Sequence, residues 1–368
     1  MVHSLEEKYL HDAAGLTRLP DRLSGRTGWE CPSNIALVKY WGKKPVQLPM
    51  NPSVSFTLQE SITNLSVEFS TGPVTSGPSL AYFFEDQPNN AFETRFYQYL
   101  HQASRYLPFL EQMELVIHAR NTFPHSAGIA SSASSFGSLA LSLCSIEQSI
   151  FGTLQEDAEF KMKASFLARL GSGSACRSVN GGFSIWGRTG ACSPGTDEAA
   201  VTLNFMVNPV FQDYCDSILV IHSGEKAVSS SAGHRLMEHH PFFESRMVQA
   251  QNNLIKLLAA LKDGDESGFI AVVEEEALTL HALMMTSRPG YLLLKPASLE
   301  VIGRIRQFRT DTGMPVSFTL DAGANVHLLY PSRIRTQVRT FIGSELSACC
   351  EQGKVIHDGV GAGPVKLH

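Results

Sequence analysis

The sequence predicts an α+β protein of two domains, and three observations carry that reading. A chain of 368 residues, 43% apolar and 18% charged, is ordinary for a folded protein but exceeds one comfortable core. Short β-branched runs and longer helical repeats alternate in both halves, without the regular single spacing of a doubly wound parallel sheet. Around residues 188–210 the stretch "GRTGACSPGTDEAA" concentrates turn formers, dividing the chain into 31–208 and 209–368, with residues 1–30 as a polar extension expected on or near the surface.

The elements follow in order. "NIALVKYW" (34–41), "SVSFTL" (53–58), "TNLSVEF" (63–69), "LAYFFE" (80–85) and "ELVIHAR" (114–120) are β-branched or aromatic runs bounded by Gly, Pro and Asn, and predict strands. Residues 89–107 space Phe92, Phe96, Tyr99 and Leu100 at helical intervals; 133–150 do so with Phe136, Leu139 and Leu143, and 156–170 with Phe166, Leu167 and Leu170. The second half opens with the strand "SILVIHS" (217–223). It continues with helices at 242–262, 266–285 and 296–312, and a strand pair, "PVSFTLDAG" and "NVHLLYP", spans 315–331.

Charge and cysteine content exclude several classes. With a net charge of −5 there is no cationic excess to track a nucleic-acid backbone. Seven cysteines without a CxxC pair argue against a disulfide framework or a zinc site and fit a reducing cytoplasm. "MVHSLEEKYLHDAAG" carries acids where a signal peptide needs a basic and then apolar run, and no apolar stretch approaches the roughly 18 residues of a membrane span, so no membrane partner is expected.

Four segments hold the chemistry. "FPHSAGIASSASSFGSLA" (123–140) puts its smallest residues where a helix begins, after a predicted strand. Unpaired helix N–H groups and serine hydroxyls there suit phosphate oxygens or a nucleotide's magnesium, and the same residues suit serine capping and close helix packing. No Walker lysine is present. "RLGSGSACRSVNGGFSIWG" (169–187) adds a second small-residue loop with Arg177 on it, which fits either an anion site or a C-capping turn using positive φ at Gly171 and Gly173. "SNIALVKYWGKK" (33–44) packs three lysines and a tyrosine around a strand end, as a solvated face does and as an anion site does. In "TLDAGANVHLL" (319–329), Asp321 follows an apolar strand, where an acid caps a turn or serves as a rigidly held base.

Together these segments resemble the diphosphomevalonate decarboxylases of the galactokinase, homoserine kinase, mevalonate kinase and phosphomevalonate kinase (GHMP) superfamily. "NIALVKYWGKK" is similar to NIA-x-x-KYWGK, and "LPMNPSVSFTL" to LPxNxSxSxTL. "FPHSAGIASSAS" looks like the phosphate loop P-x-x-x-G-[LI]-x-S-S-A, "GSGSACRSVNGGF" like GSGSACRS-x-x-GGF, and "DAGAN" like DAGPN. The likeness runs from about Asn34 to the closing "GVGAGP" (359–364).

The resemblance implies a GHMP kinase fold: an N-terminal domain of the ribosomal protein S5 domain 2-like type, a C-terminal ferredoxin-like α/β sandwich, and a site in the cleft between them. It implies ATP and Mg²⁺ as cofactors, phosphorylated mevalonate as substrate and a homodimer. By matched position it makes Asp321 the base, Lys39 the cation beside the reacting hydroxyl, and Arg177 the holder of the substrate carboxylate. Tyr40, Lys43, Ser172 and Ser174 fall near the diphosphate or phosphoryl oxygens, Arg95 matches a further diphosphate arginine, and Asn34 helps hold substrate or a catalytic neighbour. Gly128, Ser131, Ser132 and Ser135 fall to the nucleotide phosphates, with Ser131 also a metal ligand. Departures are Pro52, Ala324 and His125, the last expected on the surface. In "EEEALTLHALMMTSRPG" (274–290), His281 matches a family histidine but lacks its polar neighbours. The same residues leave room for a decarboxylase of the 5-monophosphate and for a superfamily kinase that stops at the phosphorylated product. A non-catalytic sensor would not require Lys39, Arg177 and Asp321 together. A dinucleotide oxidoreductase would need GxGxxG after a first strand that instead runs into KYWGKK.

Overall fold

Two long antiparallel strands form the spine of the first half. β1 (Ser24–Val38) and β4 (Ser53–Thr71) pair along most of their length, and β2 (Lys43–Lys44) and β3 (Leu48–Pro49) make a small ribbon in the connection between them. The computed structural model describes residues 4–20, 22–72, 77–124, 129–191, 195–224 and 228–368. β5 (Ser79–Phe84), β6 (Gln87–Pro88), β7 (Met113–Asn121), β8 (Phe183–Trp186) and β9 (Ala200–Thr202) extend the sheet. α2 (Asn90–Ala103), α3 (Ser131–Phe151) and α4 (Asp157–Gly171) belong to the same half, α3 packing against both β1 and α4.

The two strands expected at 53–58 and 63–69 are one strand with a kink. The β1–β4 register shifts between Pro32 and Asn34, because residues 58–61 bulge. The backbone N–H groups of Gln59, Glu60 and Ser61, freed by the bulge, donate at 2.7–2.9 Å to the carboxylate of Asp358 from the far end of the chain. Before the kink β4 is buried on both faces; after it, burial alternates. The sequence pattern changes at the same place, which is why it reads as two elements.

α3 is buried nearly all round, and its small residues face the sheet. A Cβ on Gly137 would stand 2.7 Å from Cys31 Sγ, Ser138 donates to the Trp29 carbonyl at 2.7 Å, and Ser134 lies 2.6 Å from Thr63 Oγ1. Phe136 meets Phe96 and Tyr99 edge-on at 5.0 and 5.2 Å, contacts worth about 1 kcal/mol each beyond burial.

The second half begins with α5 (Pro209–Gln212) and β10 (Cys215–Leu219). It continues through α6 (Ser230–Arg235), α7 (Phe243–Asp263), α8 (Glu266–Thr286), α9 (Pro296–Thr312), β11 (Ser317–Thr319), β12 (Val326–Tyr330), α10 (Arg335–Phe341) and β13 (Val355–Gly359). The sheet order β11-β12-β10-β13, all antiparallel, gives this half the ferredoxin-like arrangement, in which the first strand lies between the third and fourth.

Two expectations about organisation change. The described part of the expected surface extension, residues 1–30, does not simply lie on the surface. α1 (Leu5–Asp12) carries a capping box from Ser4 and Glu7, its first N–H groups donate to Glu198, and Tyr9 packs at 5.0 Å on Phe166 in the core. The 30/31 boundary falls inside β1. Nor does 209–368 stay apart: β14 (Val365–Lys366) pairs with Trp29 and Glu30 of β1 and closes the first sheet.

Candidate active site

Where the halves meet lies a cleft of about 710 Å³. It is lined by the end of β1, the β2–β3 connection, α2, the start of α3, the turn after α4, the start of α6, α8 and the loop after β11.

Lys39 follows β1 and is 2% exposed, so it is no part of a solvated face, whereas Lys43 is half-buried and Lys44 exposed. Its Nζ donates to Asp321 Oδ1 at 2.9 Å and to the Ala36 carbonyl at 2.6 Å. Burial pushes the Lys39 amine below its usual range, against which Asp321 holds it up. Asp321 stands just beyond β11 with its side chain 28% exposed, and His281 Nε2 lies 3.2 Å from its carbonyl oxygen behind the cleft wall.

Arg177 is also 2% exposed. It donates to Asn34 Oδ1 through Nε and Nη2 at 3.2 Å each and to Ser53 Oγ at 2.6 Å. Among the described residues no carboxylate pairs with it within 4 Å. A buried guanidinium held only by neutral acceptors is costly, and an anionic ligand would relieve that cost. Asn34 does not line the cleft. Its amide donates to Ser178 Oγ and the Ser174 carbonyl at 2.8 and 3.1 Å, so it fixes Arg177 instead of facing a substrate.

Tyr40, Lys43 and Arg95 line the cleft. The Tyr40 hydroxyl is buried without a partner among the described residues, and burial raises its phenol well above the usual range, so it remains a donor. Ser172 and Ser174 line the same wall. Gly171 and Gly173 are not positive-φ caps. A Cβ on Gly171 would stand 2.2 Å from the Phe136 ring and one on Gly173 2.8 Å from Tyr40 Oη, so close packing excludes side chains there.

Next to Ser172, α3 starts after Ala130 with no side-chain cap, so its first N–H groups, with the hydroxyls of Ser131 and Ser132, open into the cleft. Ser132 Oγ lies 3.3 Å from Ser172 Oγ, joining the two small-residue loops. Ser135, one turn further along, is buried and does not line the cleft. Gly128 and His125 lie outside the described residues. Among the described residues no group of three or more His, Cys, Asp or Glu could hold a metal. Hydroxyl oxygens at an uncapped helix start do fit Mg²⁺, a hard ion that takes few protein ligands and completes its shell with phosphate and water.

Sequence reasoning missed the wall contributed by α6. Ser229, Ser230, Ser231 and His234 line the cleft, and the Ser229 side chain caps α6 by accepting from Ala232 N–H at 3.2 Å. The signal was present: "SSSAGH" repeats the small-residue-before-helix pattern of the first loop. His234 packs against Tyr40 and Trp41 at 4.4 and 4.6 Å and accepts the Gly42 N–H through Nδ1 at 3.0 Å.

The family described as "Diphosphomevalonate decarboxylase-like N-terminal domain" matches residues 31–199, and "Mevalonate 5-diphosphate decarboxylase C-terminal domain" matches 217–364. The chain belongs to the diphosphomevalonate decarboxylase family. Among its relatives the diphosphomevalonate decarboxylase of Gibberella zeae is 30% identical, over 93% of this chain and 97% of its own. The mevalonate diphosphate decarboxylase of Staphylococcus aureus superposes with a TM-score of 0.79 at 28% identity, covering 94% of this chain and 98% of its own. A solved complex of MDDEF with MVAPP, AMPPCP and magnesium superposes with a TM-score of 0.77 at 26% identity, covering 94% of this chain and 100% of its own. The two-half architecture is thus that of the family's structures. No helix among the described residues is long and apolar enough to cross a membrane.

Proposed function

We propose that the chain catalyses the ATP-dependent decarboxylation of (R)-5-diphosphomevalonate to isopentenyl diphosphate, with ADP, phosphate and CO₂ as the other products. One observation carries this reading: the Lys39–Asp321 pair and the buried Arg177, which has no carboxylate partner among the described residues, share one cleft with the uncapped start of α3.

A tertiary alcohol is a poor nucleophile, so it must be positioned and relieved of its proton. Asp321 takes that proton from the hydroxyl, with the Lys39 amine 2.9 Å from its carboxylate. Lys39 faces the charge that develops on the transferred group. Arg177 holds the substrate carboxylate with its planar donors and keeps it oriented until the carbon–carbon bond breaks. Tyr40, Lys43 and Arg95 with Ser172 and Ser174, all lining the cleft, receive the diphosphate. The α3 start with Ser131 and Ser132 receives the nucleotide phosphates. Magnesium, when bound, neutralises charge between the donor oxygens, and Ser131 would hold it. The proposal includes a homodimer, as the family resemblance implies, and a cytoplasmic site, which the cysteine content supports.

The test supplies Mg-ATP with mevalonate, its 5-phosphate and its 5-diphosphate separately and records ADP and CO₂. Both products from the diphosphate alone are expected. ADP without CO₂ would make the protein a kinase, and CO₂ from the 5-phosphate a monophosphate decarboxylase.

A further inference from the structure

Lys39 reaches the cleft from a backbone that the other half of the molecule holds. β1 ends at Val38, so the Lys39 N–H and C=O lie beyond the strand ladder and need other partners. Glu276 of α8 accepts the N–H at 2.8 Å. Arg246 of α7 donates to the carbonyl at 3.2 Å, and Asn51 does so at 3.0 Å. Arg246 and Glu276 are themselves joined by two hydrogen bonds of 2.7 Å, and Asn253 donates to Glu276 Oε1 at 2.9 Å. The two side chains are 1% and 0% exposed.

A helix pair does not need such an ion pair to pack, since apolar residues of similar volume often serve as well or better. This pair instead grips both sides of one residue's main chain, and that residue's amine is the one that meets Asp321. We infer that Arg246 and Glu276 are positioning residues for Lys39, fixing where its Nζ stands against Asp321 and supporting its charge across the junction of the two halves. The inference rests on the proposed decarboxylase reading. The charged groups facing the Lys39 amine are Asp321 from the loop after β11, Glu276 from α8, the buried Asp216 from β10, and Arg177 from the turn after α4. The carboxylates favour the ammonium; burial and Arg177 oppose it.

Two variants test this. Glu276→Gln keeps an acceptor for the Lys39 N–H but removes the charge. The double variant Arg246→Met with Glu276→Leu replaces the pair by apolar volume. We expect the double variant to melt cooperatively, a few degrees below the wild type because the Lys39 N–H and the Asn253 amide lose their acceptor, while kcat falls about 30- to 100-fold and both KM values stay within about threefold, the pattern of a misplaced group. In Glu276→Gln the alkaline limb of the kcat–pH profile should move to lower pH, because the ammonium has lost a supporting charge. An unmoved limb, or a kcat loss that only tracks loss of folded protein, overturns the inference. If the wild type releases no CO₂ from diphosphomevalonate, the functional reading fails instead. The inference is then read from ¹³C NMR titration of the Lys39 ε-methylene, where Glu276→Gln must lower the midpoint and an unchanged midpoint overturns it.

Discussion

On one wall of the cleft Lys39 and Arg177 are almost wholly buried, each tied to protein acceptors at 2.6–3.2 Å. On the other, Ser131 and Ser132 stand at a helix start with no side-chain cap, and the Tyr40 hydroxyl has no partner among the described residues. The first wall is fixed in position before any ligand arrives, with only the charge of Arg177 left for an anion to balance; the second is completed by the ligand. Full charges that act on reacting atoms are fixed in advance, because reorganising them during the reaction would add to the barrier. At the α3 start dipoles and hydroxyls hold phosphate, while Lys43 and Arg95 bring charge to the part of the lining assigned to the diphosphate. Lesions in the first wall should therefore appear in kcat, and lesions in the second in binding.

The hardest test of that division is Asp321→Asn, which keeps the shape and removes the base. We expect kcat for CO₂ release to fall about 10³-fold with the fold intact, as for a lost general base. Survival of a tenth of the activity would show that the fixed wall does not hold the reacting group. Next is Arg177→Lys, which cannot reproduce the three bonds to Asn34 and Ser53. A fall in kcat/KM of about 10²-fold with unchanged nucleotide affinity is expected. Equal loss of nucleotide binding, measured by calorimetry, would erase the distinction between the walls.

His234 belongs to both walls, since it is buried yet completes the ligand side. Burial, with Lys43 nearby, holds its pKa down to about 3 from the ordinary 6.5. The unfolded histidine takes up a proton as pH falls from 6.5 toward 3 while the folded one does not, so stability drops through that window. At pH 5 the cost is roughly 2 kcal/mol. Urea unfolding at pH 7 and pH 5 should show it, and His234→Gln should flatten the difference. The smallest effect is expected for Ser131→Ala: nucleotide binding weaker by about fivefold, one neutral hydrogen bond's worth, with kcat nearly unchanged.

How much of this was legible depended on distance along the chain. Lys39, Arg177, Asp321 and the serines at the α3 start stand in short segments whose composition departs from ordinary surface or core, and the structure gathers them in one cleft. The supports were invisible because they are long-range. Nothing near Gln59 announces that its N–H meets Asp358, and nothing near Trp29 announces Lys366. The triplet Glu274-Glu275-Glu276 reads as a solvated face, yet a helix turns about 100° per residue and sends three identical side chains three ways. Glu274 meets Arg306 and Arg309, Glu275 meets Gln249 at the surface, and Glu276 is fully buried on Arg246. Gly171 and Gly173 illustrate the converse: their smallness was legible, but its cause, the Phe136 ring and the Tyr40 hydroxyl, lay elsewhere.

The return of β14 to β1, with Asp358 fastening the kink of β4, bears on how the protein is made. Domains generally fold as they leave the ribosome, amino-terminal first. Here the first sheet receives its last strand only after the entire second half has been synthesised. A nascent chain therefore carries an unfinished edge on β1 through most of translation, and a 1–208 fragment expressed alone would keep that edge permanently, an invitation to pair with its neighbours.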